Sequence, residues 1–364
     1  MAHHLEKYDL GWRLAILRSD HSLLEGHENL VRKNGRYFFS SDGKELSLTS
    51  KMKGVFDNYH HGDIININEA GKCLRLFDSS EDDATIFMGG NCNSNCLMCP
   101  SSDFERRQDY SETDEITGEL IEMLPDNLSH YVVTGGEPTI KTQFFLKAMA
   151  RLADRFPRAE ALLLTNGRSF SSVILLQELL THCPPYLTVA IPIHGSEASI
   201  HDTISRSKGS FDQTLRGIAN LLDAGVSIEI RIVVTLLNCD DLMEIAKMIV
   251  DKFPNVLRVN FISLEVRGNC ARNKEQVYID PATSFMKSRE AINHLVENGI
   301  SVGLYNYPLC CVDKGYWTIC HRSISEYKIR YEEKCDSCGL KAECGGLFVT
   351  TMKAAHPEIR PILL

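Results

Sequence analysis

From residue 83 onward, short apolar runs alternate with longer segments whose apolar positions fall on one helical face. Ala84–Met88, Ser129–Thr134, Ala159–Thr165, Tyr186–Ile193, Ser227–Thr235 and Val256–Leu264 have strand length. Asp114–Leu124, Thr142–Phe156, Ser171–Thr181, Phe211–Ala224 and Asp240–Lys252 carry the helical period. The strand runs are nearly all apolar (Ile230–Val234 holds a single Arg), as parallel strands covered on both faces should be. Repetition at this spacing implies right-handed crossovers and an α/β fold, either an open doubly wound sheet or a partial barrel of six units. Functional residues should then gather at the C-terminal strand ends.

Before residue 83 the pattern is different. Strand-like runs at Tyr37–Phe39, Ile64–Ile67 and Cys73–Phe77 are separated by Asp-Gly, His-Gly and Ala-Gly turns. A small β-rich N-terminal domain over 1–82 is expected. Its His60–His61 pair lacks a third ligand and reads as a solvated loop. After Leu264 the pattern gives a helix at Pro281–Asn298 and a strand at Ile300–Tyr305. From Pro308 little periodicity remains. The expected division is therefore 1–82, 83–268 for the strand–helix repeats, and 269–364 for a C-terminal extension.

Composition is that of a globular protein, with 43% hydrophobic and 24% charged residues, so neither a disordered nor a fibrous chain is expected. No apolar run approaches the roughly 20 residues of a membrane span. The first ten residues, MAHHLEKYDL, hold no apolar signal core, and the expectation is a cytoplasmic protein without membrane partners. A net charge of -9 without a basic tract argues against nucleic acid as a partner. Thirteen cysteines change the picture most. Thiols in a reducing compartment point to metal chemistry rather than disulfides, provided their spacing supports it.

The spacing supports it twice. Cys92, Cys96 and Cys99 follow the first strand as Cys-x3-Cys-x2-Cys. Three thiolates on a short loop can hold three irons of a cubane cluster and leave the fourth open to a chelating small molecule. Half of a zinc site is the rival reading, but zinc favours four ligands. Thr134-Gly135-Gly136-Glu137-Pro138 ends the second strand, where glycines allow close backbone approach and Glu137 can accept from an ammonium group. The second group, Cys335, Cys338 and Cys344, reads Cys-x2-Cys-x5-Cys and needs a fourth ligand from Cys310, Cys311 or Cys320. Adjacent residues of an extended chain point to opposite sides, so Cys310 and Cys311 should not serve one centre together. Zinc and a [4Fe–4S] cluster both fit this count. Cys73, Cys183, Cys239 and Cys270 read as packing thiols.

The first two motifs together resemble the radical S-adenosylmethionine (SAM) superfamily. Cys92, Cys96 and Cys99 match its cluster motif, Met98 its hydrophobic position before the last cysteine, and Gly135, Gly136 and Glu137 its methionine-amine motif. The resemblance implies a partial (β/α)6 barrel over about residues 84–265 and a [4Fe–4S] cluster whose open iron binds SAM. It also implies reductive cleavage to a 5′-deoxyadenosyl radical that takes a hydrogen atom from substrate. A one-electron donor such as flavodoxin or ferredoxin is implied as well. Strand-end position adds Asn166, His194, Ser196, Arg231 and Leu264 as candidate cofactor contacts. For Arg231 an anionic partner is needed, either a cofactor carboxylate or a structural Asp or Glu. His194 and His201 could instead serve substrate or cap helices.

The tail resembles the SPASM and shorter twitch extensions of peptide-modifying members of that superfamily. Phe348 stands where the last SPASM cysteine would be. The resemblance therefore implies one auxiliary [4Fe–4S] cluster, held by Cys335, Cys338, Cys344 and Cys310. From residue 62 on, the chain is similar to the maturases of the His-Xaa-Ser peptide system. The similar stretches are 61–65, Asn93–Pro100, 279–281, 305–310, 323–328 and 344–348. That similarity implies a ribosomally made precursor peptide as substrate and a sister radical SAM enzyme acting on it. The alternatives are a radical SAM enzyme for a small molecule, or a zinc-organised binding protein without catalysis.

Overall fold

The computed structural model describes residues 13–363 except 20–22, 35, 47, 49, 68–72, 109–112 and 327. In chain order the N-terminal part holds β1 (Arg13–Arg18), β2 (Asn29–Lys33), β3 (Arg36–Phe39), β4 (Glu45–Leu46), α1 (Ser50–Phe56), β5 (Ile64–Ile67) and β6 (Cys73–Phe77). These strands form one sheet in the order β4-β3-β2-β1-β5-β6, parallel only between β1 and β2. Alternate residues of each strand share a face, so Ala15 and Leu17, Tyr37 and Phe39, and Ile65 and Ile67 meet Phe56 of α1 in a single core. The β-rich N-terminal region is present, with strands at the three expected runs.

The strand–helix repeats follow as β7 (Asp83–Phe87), α2 (Asp103–Arg106), α3 (Thr113–Met123), β8 (His130–Thr134), α4 (Thr142–Arg155), β9 (Glu160–Leu164), α5 (Val173–Thr181) and β10 (Leu187–Pro192). They continue as α6 (Ala198–Ser205), α7 (Ser210–Asp223), β11 (Ser227–Val233), α8 (Leu242–Lys252), β12 (Arg258–Ile262), α9 (Gly268–Arg272) and α10 (Lys274–Val277). Next come α11 (Pro281–Glu297), β13 (Val302–Tyr305), β14 (Cys320–His321), β15 (Ile329–Arg330), β16 (Leu347–Phe348) and α12 (Val349–Ala355). The class is α/β, with the parallel strands of a half-barrel numbering eight, β7 to β14. Six were expected. The strand expected at Ile300–Tyr305 forms as β13 and joins this sheet, and β14 is only two residues long.

The chain divides into two compact units. The first takes 1–91, 107–164 and 178–187, and the second takes 92–106, 165–177 and 188–364. In the first, β7, β8 and β9 pair in parallel, with Ala84 opposite Tyr131 and Val132 opposite Leu162. In the second, β10 to β14 pair in parallel, with Ile230 opposite Val259 and Phe261 opposite Leu304. One face of these strands is wholly apolar: Val189, Ile191, Ile228, Ile230, Ile232, Val259, Phe261 and Leu304 are fully buried. Helix α7 packs on β11, and α11 packs on β13 and α8. The opposite face carries Glu229, Arg231, Arg258, Asn260, Tyr305 and His321, so two-residue periodicity separates packing from chemistry along each strand. Among the described residues no helix is long and apolar enough to cross a membrane.

Candidate functional site

The loop carrying Cys92, Cys96 and Cys99 has little regular structure of its own, and neighbouring elements hold it. The Asn95 N–H donates to the Ser205 carbonyl at 3.0 Å and the Leu97 N–H to Ile204 at 2.8 Å, lashing the loop to the end of α6. From α9 and the following residue, the Asn269 amide donates to Asn95 Oδ1 at 2.7 Å and the Cys96 carbonyl at 3.1 Å. The Asn273 amide donates to the Leu97 carbonyl at 3.1 Å. Gly268 has φ +57°, and a Cβ there would lie 2.3 Å from the Pro100 carbonyl oxygen. Only glycine lets this turn press on the loop. Leu97 and Met98 are buried with Ile204, Leu264, Val266 and Val277, while the three cysteines are half-buried. Apolar anchors thus fix a loop that presents thiols.

The donors suit a cationic cluster. Burial pushes the Cys96 thiol up, and the neighbouring Cys99 and Cys92 thiols push it further. Neighbouring thiols disfavour one another's ionisation, and a bound metal deprotonates its thiol ligands. The Ser94 N–H donates to Cys92 Sγ at 3.4 Å. The Arg168 guanidinium donates to the Asn93 carbonyl at 2.7 Å and Ser94 Oγ at 3.0 Å, and the Asn166 amide to Asn93 Oδ1 at 2.6 Å. Asn166 therefore buttresses the cysteine loop.

In the other unit, the Gly-Gly-Glu motif lies along the residues that lead directly into Cys92. The Gly136 N–H donates to the Gly89 carbonyl at 2.9 Å and the Glu137 N–H to Asn91 at 2.7 Å. A Cβ on Gly135 would sit 2.5 Å from the Gly89 oxygen. One on Gly136 would sit 2.2 Å from the Gly90 oxygen and 2.3 Å from that of Asn91. The backbone these glycines admit is thus the chain's own. Glu137 is buried, and its Oε1 accepts from the Thr139 N–H at 3.2 Å and hydroxyl at 2.6 Å. A buried, oriented carboxylate can accept from an ammonium group.

The remaining strand-end candidates are tied into the protein. The Ser196 N–H and hydroxyl both donate to the Asp241 carboxylate, at 2.7 and 2.6 Å. Arg231 donates through Nε to Glu229 at 2.7 Å, which is the structural-partner alternative for that residue. Leu264 belongs to the apolar cluster that anchors Leu97 and Met98. The His194 and His201 rings lie with centroids 4.9 Å apart and planes tilted by 42°, and the His194 backbone N–H donates to His201 Nδ1 at 3.2 Å. Burial pushes both imidazoles down, His201 to about 4, so both are neutral at pH 7. Gly268, Asn269, Asn273 and Arg168 were missed, because their partners lie far away in the sequence.

Cys310, Cys335, Cys338 and Cys344 line one small cavity. Cys311 and Cys320 do not line it. The Cys311 thiol donates to the Glu358 carbonyl at 3.9 Å and the Cys320 thiol to Tyr316 at 3.6 Å. The adjacent Cys311 thiol pulls the Cys310 thiol down to about 6 and is itself driven up. Phe348 is buried on β16 opposite Ile329. Among the described residues, no three His, Cys, Asp or Glu side chains converge closely enough for a single metal ion.

A half-barrel of parallel strands with a three-cysteine loop after its first strand defines the class. Residues 86–249 match the family described as the Radical SAM superfamily, so this part of the chain is a radical SAM domain. The mycofactocin maturase MftC of Mycolicibacterium smegmatis is 28% identical over 178 residues, covering 49% of this chain and 43% of that protein. The Fe-coproporphyrin III synthase of Methanosarcina barkeri is 25% identical over 215 residues, covering 58% of this chain and 49% of that protein. The match thus spans less than half the length of these curated relatives. Among solved structures, Streptococcus suis SuiB aligns over 69% of this chain and 54% of its own, at 13% identity and a TM-score of 0.49. Native anSMEcpe with bound AdoMet and the Kp18Cys peptide aligns over 60% of this chain and 63% of its own, at 17% identity and a TM-score of 0.46.

Proposed function

We propose that the chain is a radical SAM peptide maturase with two iron–sulfur centres. The observation that carries this reading is the second, four-cysteine cavity, which a radical SAM enzyme needs only for more than SAM cleavage. The similarity to a protein named a maturase supports it. In this reading Cys92, Cys96 and Cys99 hold the first [4Fe–4S] cluster, and Glu137 accepts from the SAM ammonium beside Gly135 and Gly136. Asn166, His194, Ser196, Arg231 and Leu264 shape the site around the cofactor. The first cluster with SAM supplies a 5′-deoxyadenosyl radical that takes a hydrogen atom from substrate. The protein binds, orients and excludes water. Cys310, Cys335, Cys338 and Cys344 hold the auxiliary cluster. Four protein thiolates leave no open iron there, which suits electron transfer rather than substrate binding.

The reading takes 1–82, 83–268 and 269–364 as the functional divisions and the cytoplasm as the compartment that keeps the thiols reduced. It names a precursor peptide, a flavodoxin- or ferredoxin-type donor and a sister radical SAM enzyme as partners. A small-molecule substrate is the second reading, and the similarity to a porphyrin synthase favours it.

The test is anaerobic reconstitution followed by iron, sulfide and zinc counts and a SAM-cleavage assay. About eight irons per chain with cleavage supports the proposal. Zinc alone without cleavage would sink it. Cys96→Ala should abolish cleavage. Mass change on a short peptide encoded beside the gene, after anaerobic incubation with the enzyme, separates the peptide reading from the small-molecule one.

A further inference from the structure

The second cysteine cavity is closed along one side by the chain's own C-terminal segment. Ile359 is buried against Cys311 and Leu347. The Glu358 N–H donates to Asp280 at 3.3 Å, and the Glu358 carbonyl accepts the Cys311 thiol. From that anchor, Arg360, Pro361 and Ile362 run along the cavity wall. The Gly339 N–H then donates to the Ile362 carbonyl at 2.9 Å, and the Ile362 N–H donates to Cys338 Sγ at 3.4 Å.

Two more backbone donors reach a sulfur of this cavity. The N–H groups of Leu309 and Gly346 both point at Cys344 Sγ, each at 3.4 Å. Gly346 has φ +62°, and a Cβ there would lie 2.7 Å from the Ile329 side chain. The turn that aims its N–H is therefore open to glycine alone. Hydrogen bonds to a charged acceptor are stronger than neutral ones. Donors on cluster sulfurs stabilise the more negative, reduced state and so raise the reduction potential.

We infer that residues 358–362 are a strap that completes the auxiliary centre, and that the Ile362 backbone N–H, not its side chain, tunes it through the Cys338 sulfur. The inference rests on the proposed reading of Cys310, Cys335, Cys338 and Cys344 as cluster ligands. Among the described residues the strap hydrogen-bonds to Asp280, Cys311, Cys338 and Gly339 and not to the three-cysteine loop, so the first centre should be unaffected.

The test uses the full reconstituted chain and does not depend on turnover. Iron and sulfide are counted first, and the midpoint potentials are read by EPR-monitored titration. A wild-type count of about four irons that Cys338→Ser leaves unchanged overturns the ligand reading, and the strap with it. With two clusters present, Ile362→Pro deletes the N–H and Ile362→Ala keeps it. The expected result is a more negative auxiliary potential in Ile362→Pro, a wild-type potential in Ile362→Ala, and an unchanged first-cluster signal in both. An unshifted Ile362→Pro, or equal shifts in the two variants, overturns the role of the amide. The strap is read separately from the rate at which a chelator extracts iron. Ile359→Asp should speed the release of one cluster and leave the other at its wild-type rate. Unchanged release of both overturns it.

Discussion

Asn260 is fully buried on β12, yet neither carboxamide atom has a hydrogen-bond partner among the described residues. Its Oδ1 lies 2.5 Å from where a Cβ on Gly303 would stand, so the side chain occupies the space that glycine leaves on β13. An orphaned buried polar group costs about 1–3 kcal/mol, and an apolar replacement of similar shape removes that cost. Asn260→Leu should therefore raise stability by about 1 kcal/mol or more in urea or thermal unfolding. A loss of stability of that size would show that the amide is satisfied in solution. Gly136 has the opposite balance. Carbonyl oxygens of Gly90 and Asn91 leave no room for a methyl group, and neither is a flexible side-chain end. Gly136→Ala should cost about 3 kcal/mol in unfolding experiments, since backbone must move. SAM binding should fall with it, because the displaced segment leads straight into Cys92.

Helix α6 carries a pH dependence. His201 is buried on it, packed between His194 and Phe211, with ring centroids 4.9 and 5.6 Å away. Its folded pKa of about 4 lies below the ordinary 6.5, because burial disfavours the charged ring. Between those values the unfolded chain binds more protons than the folded one. Stability is thus complete above about pH 6.5 and is lost as pH falls toward 4, by about 3 kcal/mol for this group. His194 adds in the same direction. His201→Phe should flatten the stability profile in that window, as urea unfolding at pH 7 and pH 5 would show. An equally steep profile would place the dependence elsewhere. The same helix shows what was legible in the sequence. Short apolar-rich segments, such as Ser227–Thr235, read as strands in the sequence. Residues 198–205 mix polar and apolar positions over two turns, too short to establish a period. The pairing of β13 and the two-residue β14 is set by tertiary contact, which local pattern does not encode. Cysteine spacing exposed both thiol groups. The turn at 268–273 that grips the first loop did not show, because its fit depends on partners about 170 residues away.

The two thiol groups are supported by different elements, which decides how the whole chain should respond to losing one. The first loop hangs on α6 and on the 268–273 turn. The second is framed by the turn at 308–311, by β15 and β16 and by the strap. Helix α12 is one element that links them. It follows β16 directly, and its buried Thr351 hydroxyl donates to the Leu264 carbonyl at 3.3 Å and accepts from the Val266 N–H at 3.0 Å. Lys274 Nζ also donates to the Ala354 carbonyl at 3.0 Å. Those contacts hold helix and backbone, not thiols, so the centres should load independently while the link stands. On the proposed two-cluster peptide-maturase reading, Cys338→Ser should keep about four irons and retain SAM cleavage, but without finished peptide product. Cys96→Ala should also keep about four irons, those of the auxiliary centre, and cleave nothing. The decisive comparison is the double variant. Independence requires its iron to fall to near zero, with each single loss additive. If Cys338→Ser alone empties both centres, α12 transmits loss of the auxiliary cluster to the first loop. Thr351→Val, which breaks the link and removes no ligand, should then lower first-centre iron as well. In a chain with independent centres, Thr351→Val lowers stability by about 1 kcal/mol and leaves the iron count unchanged.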